Sequence, residues 1–179
     1  MISQSINGVT IELLQGDIAS QKDMTAIVNA ANAELRIGGG VAGAIHRAAG
    51  PELETECSPL APIRPGEAVI TGGHNLPNKY VIHCLGPIFG IDKPEDTLLA
   101  NCYRNALKIA EEYGIDSIAF PAISTGAFGY PLQPAAEIAL KTVMNEAQNL
   151  RSVKIIRFVL YDKKDYDIHA AVLHQIAGK

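Results

Sequence analysis

Apolar positions along this chain follow two periods, and their alternation lays out the secondary structure. Val9–Gln15 (VTIELLQ) alternates as a strand does, and Ala26–Ala30 (AIVNA) is a short apolar run of the kind that lies inside a sheet. Glu67–Gly72 and Lys79–Leu85 are two further β-rich runs joined by the turn His74-Asn75-Leu76-Pro77-Asn78. Ser117–Pro121 and Lys154–Tyr161 complete a set of six predicted strands.

Between them the period changes. Leu99, Cys102, Tyr103, Ala106, Leu107 and Ala110 recur at helical spacing, which predicts a helix over about Pro94–Tyr113 closed by Gly114. Further helices are predicted over Val41–Ala49, Glu52–Cys57, Pro131–Asn149 and Lys163–Ala177, the last capped by Asp162. A short helix or turn fits Ile18–Met24. Strands alternating with helices predict an α/β fold with a mostly parallel sheet covered on both faces. The antiparallel pair at Glu67–Leu85 makes the sheet mixed.

Composition narrows the picture. The 179 residues suit one domain with a substantial core, and 47% apolar against 19% charged residues is ordinary for a globular chain. No apolar run approaches a membrane span, and the N-terminal MISQSINGV lacks a signal-peptide layout, so the cytoplasm is the expected compartment. Net charge is −4 with no basic stripe, which argues against a nucleic-acid partner. The three cysteines form no C-x-x-C pair, so neither a metal site nor a disulfide framework is expected, and Cys84 and Cys102 read as core residues.

Candidate chemistry gathers in two loops. Gly38-Gly39-Gly40 stands ahead of the predicted helix from Val41, and unpaired amides at a helix start attract anions. Ser124-Thr125-Gly126-Ala127-Phe128-Gly129 repeats the arrangement after the strand Ser117–Pro121. Two such loops at strand ends are where an α/β sheet holds a ligand. An acidic chain with few Lys or Arg nearby must bind phosphate with main-chain amides.

Three look-alikes are set aside. Gly38, Gly40 and Gly43 fit G-x-G-x-x-G but stand too far beyond the strand for a dinucleotide fold. Ser124 with Asp162 and His169 mimics a hydrolase order, yet the chain is short for that fold and His169 falls in a predicted helix. His46 reads as a packing or surface histidine.

Taken together, Gly16-Asp17-Ile18, Val28-Asn29-Ala30-Ala31-Asn32, Gly38-Gly39-Gly40-Val41, Ala44–Gly50 and Ser124–Gly129 make the chain resemble a macrodomain, a family that binds ADP-ribose. The resemblance covers nearly the whole chain and implies a single domain over residues 1–179, a three-layer α/β/α sandwich around a six-stranded mixed sheet. It implies that Asp17, with Ile18, reads adenine and that Tyr161 stacks on it. Gly39, Gly40, Val41, Ser124, Thr125, Gly126, Ala127 and Phe128 would enclose the diphosphate, and Phe128 would also pack on the distal ribose. Asn32 would contact the distal ribose near the reacting carbon and is the candidate catalytic residue; Asn29 would tie the loop together.

Ala42 departs from the pattern. The best-known hydrolytic macrodomains carry an aspartate there, and no Asp or Glu occurs between Glu34 and Glu52, so this loop offers no general base. Other macrodomains with this alanine are still regarded as hydrolases. The expected activity is therefore ADP-ribose binding with substrate-assisted hydrolysis of ADP-ribosyl esters, on protein Asp/Glu or as O-acetyl-ADP-ribose. The alternatives are a reader without chemistry and a weak phosphatase of ADP-ribose 1″-phosphate. The expected partner is ADP-ribose or an ADP-ribosylated protein, with no cofactor, no metal and a monomeric state.

Overall fold

The computed structural model describes residues 1–178. Seven strands form one sheet: β1 Ile2–Ile6, β2 Val9–Gln15, β3 Ala26–Ala30, β4 Ala68–Gly72, β5 Tyr80–Cys84, β6 Ser117–Phe120 and β7 Ile155–Leu160, in the order β1-β2-β7-β6-β3-β5-β4. From β2 to β5 all neighbours are parallel, while β1 and β4 lie antiparallel at the two edges. The helices are α1 Gly40–Ala49, α2 Glu52–Cys57, α3 Glu95–Glu112, α4 Leu132–Ala147 and α5 Lys163–Ala177.

Alternation across the pleat divides the interior into two cores. Ala26 and Val28 of β3, with Ile156, Phe158 and Leu160 of β7, pack against α3, α4 and α5. Ile27 and Val159, pointing the other way, join Ile45 and Ala49 of α1 and Leu53 of α2. The result is the expected three-layer α/β/α sandwich. Cys84 and Cys102 are fully buried in the first core, and all three cysteines are free thiols.

The sheet has seven strands where the periodicity indicates six. The added strand, β1 (ISQSI), is an edge with no fully buried residue, so burial leaves only a weak pattern in its sequence. Asn7 and Gly8, with φ of 50° and 81°, make the two-residue turn that pairs Ile6 with Val9. The Ile18–Met24 stretch holds a 3-10 turn at Ile18–Ser20 and a second turn closed by Met24 N donating to Gln21 O (3.2 Å). Asp162 occupies the N-cap position of α5 but makes no side-chain capping bond, correcting that expectation.

Candidate functional site

Because β2, β7, β6, β3 and β5 run parallel, their C-terminal ends form one rim. In sheet order that rim carries Asp17 after β2, Tyr161 after β7, the 122–130 loop after β6, Asn32 after β3 and Gly86 after β5. A cavity of about 310 Å³ opens in it, lined from β3 and α1 by Ala30–Asn32 and Gly38–Ala42, from β5 by Gly86, and from the β6 loop by Ala122–Ser124 and Gly126–Phe128. The two loops singled out by sequence thus share one cavity.

On the α1 side, Gly39 is the N-cap and Gly40 starts the helix at φ 54°, a conformation that side-chain-bearing residues rarely adopt. The first N–H bonded back into this turn is that of Gly43, to Gly39 O at 3.2 Å. The amides of Gly40, Val41 and Ala42 are therefore the open donors of a helix start. No acidic side chain occupies the first turn, so the positive end of the helix dipole is uncompensated.

On the β6 side, Gly129 N donates to Gly126 O (3.0 Å) and Tyr130 N to Ser124 O (2.9 Å), closing the loop. Among the described residues the amides of Thr125 through Phe128 find no acceptor. Ser124 is buried at φ 68°, and its Oγ has no partner among the described residues. His169 makes no hydrogen bond to it: that ring sits in α5, buried, with Nδ1 2.9 Å from Asp165 O. The hydrolase-like triad does not exist.

Asn32 lines the cavity, and its carboxamide is pinned at both ends: Nδ2 donates to Arg36 O (2.8 Å) and Oδ1 accepts from Arg36 N (3.0 Å). Thr125 is absent from the cavity wall and donates its hydroxyl to Ala122 O (3.2 Å). Phe128 is half-buried, its carbonyl accepting from Phe89 N (2.9 Å).

Asp17 and Tyr161 stand outside this cavity but beside each other, because Gln15 pairs with Leu160 and Gly16 N donates to Leu160 O (2.9 Å). Tyr161 is 80% exposed, an unpacked ring at a strand end. Asp17 Oδ1 caps the 3-10 turn by accepting from Ala19 N (2.9 Å), which orients the carboxylate and leaves Oδ2 available. The Ile18 side chain is buried in the second core, so only its main chain can face a ligand.

Asn29 is buried in β3 and bonds His83 on β5, so it ties strand to strand rather than the loop. His46 is buried in α1, and burial lowers its pKa, with Glu54 opposing. Sequence reasoning missed Gly86. A Cβ there would overlap Ser124 Oγ and lie 2.6 Å from Ile123 Cγ2, so the backbone must be bare for the β6 loop to cross it. Its signal was a Gly-Pro pair directly after a strand.

No residue lining the cavity is charged or titratable. Among the described residues no cluster of three or more His, Cys, Asp or Glu could hold a metal, and no helix is long and apolar enough to cross a membrane.

Parallel strands with two amide-rich loops over one cavity define an α/β protein whose open main-chain donors gather at the strand ends, the kind of place where α/β folds hold anions. The Macro domain family profile matches residues 28–139. A macro domain-containing protein of Caldanaerobacter subterraneus is 46% identical over 171 residues, spanning 93% of this chain and 97% of that one. The Oceanobacillus iheyensis macrodomain solved with ADP superposes with a TM-score of 0.95 at 41% identity, covering 99% of this chain and 96% of the other. A Trypanosoma brucei macrodomain solved in complex with ADP-ribose gives 0.85 at 36% identity, covering 91% and 68%. The chain belongs to the macro domain family.

Proposed function

We propose that residues 1–179 act as one macro domain that binds ADP-ribose along the strand-end rim and hydrolyses ADP-ribosyl esters. The observation that carries this reading is the single cavity flanked by the open amides of α1 and of the β6 loop. The structures of relatives with ADP and ADP-ribose support the ligand class. In this reading Asp17 Oδ2 accepts the adenine amine and Tyr161 stacks on the ring. Gly39, Gly40 and Val41 face Ser124, Gly126 and Ala127 across the diphosphate, Thr125 contributes its main-chain amide alone, and Phe128 packs on the distal ribose.

Asn32, held rigid by the Arg36 backbone, orients the distal ribose. With no carboxylate or imidazole in the wall, the ligand's own phosphate positions the attacking water. For an ester on a protein Asp or Glu, water bonds to the anomeric carbon, the bond to the acyl oxygen breaks, and ADP-ribose and the free acid form. Omitting a positioned base typically lowers a rate by about 10²–10⁴, so slow turnover is expected.

Ala42, buried at the start of α1 where no base is supplied, favours a second reading as a non-catalytic reader. One experiment separates them: release of ADP-ribose from a glutamate-modified protein by wild type and by Asn32→Ala, beside calorimetric titration with ADP-ribose, AMP and NAD. Tight ADP-ribose binding with release that Asn32→Ala abolishes is the hydrolase outcome. Binding with release no faster than the uncatalysed rate leaves the reader, and faster release that Asn32→Ala retains removes Asn32 from the chemistry.

A further inference from the structure

Gln21 follows the 3-10 turn that Asp17 caps, and it is 5% exposed. Its carboxamide bridges two groups distant in sequence. Arg157 Nη1 donates to Gln21 Oε1 (2.9 Å), and Gln21 Nε2 donates to the main-chain carbonyl of Asp17 (2.8 Å). A guanidinium only donates and a carbonyl only accepts, so one amide orientation alone satisfies both.

The anchor of this bridge is firm. Arg157, on β7 and 6% exposed, also donates to Glu12 Oε1 (2.9 Å) and, bidentately, to Asp23 (2.8 Å to each oxygen). The main-chain carbonyl of Gln21 is held by Asn78 Nδ2 (2.7 Å), which reaches Met24 O at the same distance. The Asp17 carbonyl, which also accepts from Ser20 N (3.0 Å), is thus tied to β7 by the Gln21 side chain, in addition to the main-chain bond from Gly16 N to Leu160 O one residue earlier.

We propose that Gln21 is a positioning residue for purine selection: it transmits the fixed position of Arg157 to the Asp17 backbone, so that the free carboxylate oxygen meets an exocyclic amine. The inference rests on the reading of Asp17 as the adenine acceptor. Because Gln21 touches no ligand, its removal loosens the choice of base rather than the grip on the diphosphate.

The test compares ADP-ribose with its inosine analogue, in which a ring carbonyl replaces the amine. Titrations use wild type, Asp17→Ala, Gln21→Leu and Gln21→Glu, with thermal melting to confirm folding. Wild type should prefer ADP-ribose, and Asp17→Ala should erase the preference. Gln21→Leu should reduce it by about three- to tenfold, the change that one neutral hydrogen bond corresponds to. Gln21→Glu keeps an acceptor for Arg157 but turns an oxygen toward the Asp17 carbonyl, and should reduce it similarly; it serves alone if Gln21→Leu does not fold. If Asp17→Ala erases the preference while both Gln21 variants keep it, or weaken both ligands equally, Gln21 has no such role. A preference that survives Asp17→Ala, or a wild type that binds neither ligand, removes the adenine reading and this inference together.

Discussion

Asn29 and His83 stand opposite each other in the β3–β5 ladder, with Asn29 Nδ2 3.0 Å from His83 Nδ1. The amide donates, so Nδ1 accepts and the ring proton sits on Nε2, which donates to Thr71 Oγ1 at 2.9 Å. The tautomer is thereby set. Cys57 Sγ of α2 lies 3.7 Å from the same Nε2, and His46 of α1 is near enough to repel a charged ring. Burial first, and His46 second, bring the His83 pKa down to about 3 from 6.5.

A pH dependence of stability follows. Between 6.5 and about 3 the unfolded chain binds a proton at His83 that the folded protein refuses. The stabilisation is therefore complete above 6.5 and is lost as pH falls through that window. His46 and His169, also lowered by burial, act in the same direction. Urea unfolding at a series of pH values should show stability declining below pH 6.5, with a slope smaller by up to about one proton in His83→Gln.

Asp17 carries the next prediction. Asp17→Ala should weaken ADP-ribose by about 1.5–3 kcal/mol, the range for a hydrogen bond to a charged group. Asp17→Asn is the sharper variant, since its oxygen can remain on Ala19 N while its amine faces the base. Calorimetry should then find the preference shifted toward the inosine analogue.

Ionic strength tests how the diphosphate is held. The cavity wall carries no Lys or Arg, and main-chain amides act at contact distance where salt screens little. Raising NaCl from about 50 to about 500 mM should change ADP-ribose affinity less than roughly threefold, whereas a site built on exposed cations would lose far more.

Gly86 is the packing test. Its alanine variant would push a methyl into Ser124 and Ile123, beneath the strained start of the β6 loop. Overpacking of this kind costs about 1–3 kcal/mol. A lower melting temperature together with weaker ADP-ribose binding is expected in Gly86→Ala; binding at wild-type strength would show that the loop does not depend on that bare backbone.

Most local features of the chain are legible in its sequence alone, the edge strand β1 with no buried residue being the exception. The two glycine loops and the helices and strands beside them are set by residues within a few positions of one another, because helix period, strand alternation and the open amides of a helix start are properties of contiguous segments. Residues Gly39–Val41 and Ser124–Phe128 can be named for that reason, and four of the five expected in the β6 loop do line the cavity. The strand order, the partner of Asn29, the crossing at Gly86 and the bridge from Arg157 to Asp17 are decided only by tertiary packing. Each joins positions dozens of residues apart, and a single sequence states which groups can donate, accept or fit, but not which of them the folded sheet brings within 3 Å.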